Sequence, residues 1–198
     1  MPKIVDHEER RNHIAKAVTQ IIIRNGFDRV TMREIAAEAG CVHGTLTRYF
    51  PDKRSLLVAA FLQVFNESHA RTLDCTEGVR GLEALRRMSQ ALLPFDDVGS
   101  ENSRVVLSFW DRAAQDPELY DIHHDNIERR RALIRTLLLQ AREDGEVDPD
   151  FDIEQGVDWV SVHNAGWQMM AVLLPESTND EKLRASIDKM IAELRCAD

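Results

Sequence analysis

The sequence predicts an all-α protein of about nine helices, a three-helix N-terminal unit followed by a larger helical body. Three observations carry this. Gly and Pro are sparse, 9 and 6 in 198 residues, and fall between runs of apolar residues at helical spacing. No stretch alternates apolar and polar residues between hairpin turns, as a half-buried strand would. Hydrophobic residues make up 43% of the chain, enough for a sizeable core and too many for a disordered chain.

The first helix is expected from Glu8 to Asn25, with Ile14, Val18, Ile21 and Ile22 on one stripe and Gly26 at its end. The next start is sharper. Thr31 and Glu34 have the spacing of a capping box, in which each side chain satisfies an orphan N–H, and Val30 and Ile35 stand at the flanking staple positions. This helix is short and ends at Gly40 after Ala36, Ala37 and Ala39, small residues that let another helix approach. A connection from Cys41 to His43 leads to a second short helix, Gly44 to Tyr49 or Phe50. Pro51-Asp52 breaks the chain, and a longer helix is expected from Lys53 to Leu73. Two short helices around a tight turn, braced by a longer one, form a helix-turn-helix arrangement. Further helices are expected near 80–93, 103–114, 119–144, 152–174 and 179–195, with breaks at Pro94/Gly99, Pro117, Gly145/Pro149 and Pro175.

Charge divides the chain. Residues 1–54 hold ten Lys/Arg against seven Asp/Glu, a net of +3, while the rest carries −12 of the overall −9. A basic head on an acidic body fits contact with a polyanion through the head alone, although acidic bodies also serve solubility. No apolar run is long enough to span a membrane, and the charged stretch from Met1 to Arg11 is unlike a signal peptide, so a cytoplasmic location is expected. Cys41, Cys75 and Cys196 are odd in number and far apart, which argues against a disulfide framework or a thiolate zinc site.

The ungapped pattern from Gly26-Phe27 through Val30-Thr31, Ile35-Ala36, Ala39-Gly40, Gly44-Thr45-Leu46, Arg48-Tyr49-Phe50 and Pro51-Asp52-Lys53 resembles the DNA-binding head of the TetR family of regulators. Phe109-Trp110, Asp116-Pro117-Glu118-Leu119, the Arg-rich run near 129–135 and Glu143-Asp144-Gly145-Glu146 resemble the C-terminal domain of choline/betaine-type repressors within it. The resemblance implies a DNA-binding domain at 1–54 and a ligand-binding and dimerisation domain at 55–198. It further implies a homodimer paired through the helices near 152–174 and 179–195, a palindromic double-stranded operator, and repression released by a small-molecule inducer.

Two positions depart from the family's pattern. Where such heads usually have Val-Ser in the turn, this chain has Cys41-Val42, and Val42 cannot cap the following helix, a loss of about 1 kcal/mol. The frequent Tyr of the recognition helix is here Thr47. Cys41 takes a small core residue's place, with an oxidation switch as the alternative.

The expected base-facing residues are His43, Thr45, Thr47 and Arg48, with Arg48 suited to guanine O6 and N7 and threonine methyls to thymine. Gly44 admits the backbone close to a phosphate, and Leu46 is expected to face the core. Thr31, Arg33, Tyr49 and Lys53 are the expected positioning contacts to phosphate, a solvated face being the plainer alternative.

In the body, Val106, Phe109 and Trp110 on one helix and His163, Trp167 and Met170 on another are candidates to line a ligand pocket, with Asn164, Trp159 and Met169 nearby. Ordinary core or a dimer seam explains the same residues. An aromatic cavity suits a quaternary ammonium, but ligand choice diverges readily within a fold. His123, His124, Asp125 and Glu128 are too few and too ordinary to imply a metal, and no cofactor is expected. Arg129-Arg130-Arg131, with acids around it, reads as a solvated, ion-paired face.

No nucleophile elbow, phosphate-cradling loop or metal-ligand motif points to an enzyme. The remaining alternative is a helical interaction module with a relic head, which salt-dependent binding to a palindromic duplex would separate from a working regulator.

Overall fold

The computed structural model describes residues 7–26 and 30–195, so Phe27 and Cys196 of the sequence pattern lie outside the described residues. The helices are α1 (His7–Asn25), α2 (Met32–Glu38), α3 (His43–Tyr49), α4 (Lys53–Thr76), α5 (Gly81–Leu92), α6 (Asp97–Ala113), α7 (Pro117–Glu143), α8 (Ile153–Leu173) and α9 (Asp180–Leu194), with a 3-10 turn at Pro175–Ser177. Among the described residues there is no strand, and no helix is long and apolar enough to cross a membrane.

Local chemistry sets most of the boundaries. The Thr31 hydroxyl accepts from the Glu34 N–H at 3.2 Å, and the Glu34 carboxylate accepts from the Thr31 N–H at 3.1 Å, completing the capping box that starts α2. Asp52 caps α4 through the Ser55 N–H at 2.7 Å, and this bond holds its carboxyl below the usual carboxylate range. Asp116 caps α7 ahead of Pro117, whose missing N–H costs nothing at that position. The start of α5 is different: Arg80 makes no capping bond, and Glu146, distant in sequence, accepts from the Leu82 N–H at 2.8 Å.

The expected break at Gly99 is wrong. Helix α6 begins at Asp97, capped by Asp96, and Gly99 lies in its first turn, its N–H bonded to the Asp96 carboxylate at 2.6 Å. A side chain there would meet the Leu93 carbonyl oxygen at 2.9 Å and Pro94 Cα at 3.0 Å. This glycine permits a close approach within a helix and does not end one.

Two hydrophobic cores organise the molecule. One runs from α1, α2 and α3 into α4 and α6, uniting Ile14, Val18, Ile35, Leu46 and Phe50 with Leu56, Phe61, Phe65 and Phe109. The other joins α5, α7, α8 and α9 through Leu85, Met88, Ile134, Leu138, Val160 and Ile187. The head therefore shares a core with α4 and α6, which begins on α4 at Leu56, just past residue 55. Arg54 reinforces the junction with ion pairs to Asp116 at 2.5 Å and Glu118 at 2.9 Å.

Candidate functional site

Helices α2 and α3 are held by burying their small and apolar face, leaving the opposite face in water. Leu46 and Phe50 are fully buried, while His43, Gly44 and Arg48 are exposed and Thr45 and Thr47 partly so. His43, Gly44, Thr45, Thr47 and Arg48 lie within one seven-residue helix, whose polar side forms a compact patch. A Cβ on Gly44 would meet nothing within 4 Å, so the backbone is open to close approach there. The Thr47 hydroxyl donates back to the carbonyls of His43 and Gly44 at 3.2 and 3.3 Å, leaving its methyl as the outward group.

Val42 occupies the N-cap position without a side-chain bond, in keeping with its inability to accept one. It is 73% exposed at the lip of α3. Cys41 is half-buried against the head core, as a small packing residue would be.

The start of α1 joins this patch, which the sequence alone does not indicate. The Tyr49 hydroxyl and His7 Nδ1 are 3.0 Å apart, and Arg11 lies over the Phe50 ring at 4.7 Å. His7 and Arg10 line an open groove of about 820 Å³ with Val42, Gly44, Thr45, Arg48 and Tyr49. Nothing in spacing or motif links residues 7–10 to residues 42–49, because only the packed fold brings them together.

The positioning residues separate. Thr31 and Arg33 are exposed at the start of α2, with the Thr31 hydroxyl engaged with Glu34. Lys53 instead lines a groove between the start of α4 and the α6–α7 corner, with Leu57, Asp111, Gln115 and Asp116. It stands at the junction of head and body, four residues along the chain from Tyr49 of the α3 groove.

In the body, the six pocket candidates do not line one cavity. Val106, Phe109 and Trp110 pack with α4 and the head core. His163 and Trp167 turn toward α9, where Ser186 Oγ lies 2.8 Å from His163 Nε2 and accepts from Trp167 Nε1 at 2.6 Å. Trp159 and Trp167 pack on the second core, Met170 is half-buried and Met169 exposed. The helical repeat explains the split, since successive positions on α8 face α9, the core and solvent in turn. His163 lies below its usual pKa because of burial, against the opposing effect of its bonds to Asn164 and Ser186.

The first group surrounds an imidazole. The His123 ring has Phe61, Phe65, Phe109 and Trp110 at centroid distances of 6.2–6.4 Å. Phe61 stacks on Phe109 as well. His124, one residue on, stacks on Tyr120 at the surface. Among the described residues no group of three or more His, Cys, Asp or Glu side chains is placed to hold a metal ion.

Arg129, Arg130 and Arg131 do not form the uniform solvated face that their surroundings in sequence imply. Arg131 pairs with Asp158 at 2.6 Å and Arg129 is exposed. Arg130 turns inward over the Phe65 ring, its guanidinium 5.6 Å from the centroid. A run of three consecutive residues spans most of one helical turn, so one of them must face a different side.

Helix α8 presents a second apolar side opposite its core-facing residues Val157, Val160 and Asn164. Val162, Met169 and Leu173 are exposed along one stripe, with Gly166 between them open to any approach.

Comparison with known proteins agrees with this anatomy. Residues 14–60 match the profile described as bacterial regulatory proteins, tetR family. Residues 81–195 match that of the BetI-type transcriptional repressor C-terminal domain. The HTH-type transcriptional regulator PksA of Bacillus subtilis is 29% identical over 206 residues, covering 100% of this chain and 96% of that protein. The HTH-type transcriptional regulator BetI of Vibrio atlanticus is 26% identical, covering 99% of this chain and 98% of its own. Among solved structures, a putative transcriptional regulator from Saccharomonospora viridis in complex with choline superposes with a TM-score of 0.88. It is 20% identical and covers 96% of this chain and 100% of its own. A transcriptional regulator from Rhodococcus sp. Rha1 superposes with a TM-score of 0.82 at 23% identity, over 93% and 95% of the two chains.

Proposed function

The chain belongs to the TetR family of transcriptional regulators, and on that premise we propose that it is a ligand-responsive repressor that binds palindromic operator DNA as a homodimer. The observation that carries this is the exposed polar face of α3, with His43, Thr45 and Arg48 projecting beside an open backbone at Gly44. An Arg at that place suits guanine O6 and N7, and the Thr47 methyl suits a thymine methyl. His7 and Arg10 flank the face and join Thr31, Arg33 and Tyr49 as phosphate contacts, while Lys53 acts at the hinge between head and body.

Division of labour follows at residues 1–54 for DNA and 55–198 for effector and dimer. The apolar stripe of α8 is the surface that a second copy covers, with α9 beside it completing a four-helix seam. Such a dimer holds its two α3 helices ~34–36 Å apart, one DNA turn, so that they enter successive major grooves. A small molecule in the body favours another spacing and releases the operator, as far as its affinity differs between the two states.

The test is fluorescence anisotropy of the purified protein on its own upstream intergenic DNA, wild type against Arg48→Ala. Salt-sensitive nanomolar binding by the wild type, weakened roughly 10- to 100-fold in the variant, is the expected result. Equal affinity for operator and random duplex would leave the interaction-module reading in its place.

A further inference from the structure

Among the described residues Arg130 is a cation without a carboxylate partner. It shares the inner side of α7 with His123 and Asn126, seven and four residues earlier. No carboxylate of the described residues pairs with it, whereas its neighbour Arg131 has both Glu128 and Asp158. Arg130 is half-buried, and burial lowers its pKa to about 10. A half-buried charge with no ion-pair partner leaves room for an anion to pair with it.

The surroundings are positive and rich in donors. His69 is held below its usual pKa by burial and then by Arg129 and Arg130, and His123 by burial and then by Arg130 and His124. Trp110 Nε1 and His123 Nδ1 are buried with no hydrogen-bond partner. Two voids of about 10 Å³ each flank the Arg130–Phe65 contact, one bordered by Val106 and Gln168, the other by His69 and Asn126. Each admits about one water, so a larger guest must part α4 from α7 to enter. The aromatic rings alone would suit a cation, but an unpaired guanidinium over one of them repels it.

We propose that the effector is an organic acid: its carboxylate pairs with Arg130 and accepts from Trp110 Nε1–H, and its apolar portion packs among Phe61, Phe65 and Phe109. The assignment rests on the ligand-responsive reading above and names the chemistry of that ligand. It separates this chain from a choline sensor, whatever the likeness of fold.

The test uses the full chain without DNA, so it stands whether or not an operator is found. Melting temperature and tryptophan fluorescence are followed with phenylacetate, benzoate and hexanoate, with the neutral phenylacetamide, and with choline. The carboxylates are expected to stabilise the protein and perturb Trp110 emission. Phenylacetamide should bind roughly 10- to 100-fold more weakly than phenylacetate, and choline should leave the melting temperature unchanged. Arg130→Met is expected to abolish the preference for the acid and, without ligand, to melt no lower than wild type, since it removes an unpaired charge. Arg130→Lys keeps part of the preference and serves if the Met variant fails to fold.

Stabilisation by choline above that by any carboxylate overturns the proposal, as does a melting temperature unmoved by all three acids. Unchanged phenylacetate binding in both variants does the same. So does a dimer that dissociates on Arg130→Met, which would assign the charge to a subunit contact.

Discussion

The capping box at α2 allows folding and DNA contact to be pulled apart at one pair of residues. Thr31→Ala removes the oxygen that accepts from the Glu34 N–H and the hydroxyl that donates to Glu34 Oε2 at 2.8 Å. Loss of such a cap costs about 1 kcal/mol, which for a chain of this length lowers the melting temperature by roughly 2–4 °C. Glu34→Ala removes the other half, the carboxylate that accepts from the Thr31 N–H at 3.1 Å, at a similar cost. Because each variant breaks the same reciprocal pair, the double variant should lose about 0.5 kcal/mol or more less than the two singles together.

Operator affinity should not follow stability. On the proposed phosphate contact, Thr31→Ala deletes the hydroxyl that makes it, so affinity falls. Glu34→Ala removes a negative charge beside the same phosphate and frees that hydroxyl, so affinity holds or rises. The assays are thermal denaturation and anisotropy on one set of four proteins. Additive melting losses would refute the reciprocal box, and parallel losses of affinity in both singles would refute the phosphate assignment for Thr31.

Three further outcomes follow from the packing. Gly99→Ala should destabilise by about 1–3 kcal/mol, because the new Cβ meets the Leu93 carbonyl oxygen at 2.9 Å, and a melt equal to wild type would remove the close-approach account. Val162→Asp places a charge on the exposed stripe of α8 and should give monomers in sedimentation with the helical content retained; a surviving dimer would move the seam elsewhere. Burial is the main influence holding His123 and His163 below the ordinary 6.5, so the unfolded chain takes up protons first as pH falls. The stability they give is fully present above about 6.5 and is lost as pH falls from there toward their folded pKa values. The melting temperature should therefore drop between roughly pH 7.5 and 5.5, and less steeply in His123→Gln and His163→Gln; slopes unchanged in both would place the acid sensitivity in other groups.

Much of the architecture was legible because its signals are local. The capping box, the glycines that end α1 and α2, and the prolines at Pro51 and Pro117 each satisfy or forbid a backbone bond within a few residues. Gly99 misleads for the same reason: glycine marks a break in sequence, and only the fold shows that a carbonyl approaches too closely for any side chain. The exposed polar face of α3 was legible through the ungapped pattern, whereas its neighbours His7 and Arg10 were not, since no periodicity ties the start of α1 to α3. Lys53 illustrates a subtler limit. Its type and position suit a phosphate contact, but no local signal shows that it also lines the groove at the α6–α7 corner. Arg130 was hidden among like neighbours. Phase along α7 separates it from them, through buried Asn126 and Ile134 four residues to either side, but composition does not.

The shared core would give the proposed effector region its means of reaching the head. Phe61 and Phe65 lie on α4, whose first residues abut α3, and Phe109 lies on α6, whose end meets the Arg54–Asp116 ion pair. Any guest that parts Phe65 from Arg130 must displace α4 or α7, because the voids beside them hold no more than a water each. A close-packed interior does not absorb such a displacement by compressing, so it moves helices as bodies. The second core, built on α5, α7, α8 and α9, holds no residue of the head and backs the apolar stripe of α8. On the proposed mechanism, one core would transmit movement to DNA while the other would keep the dimer seam fixed, which is the asymmetry that a swing of the heads away from an operator requires.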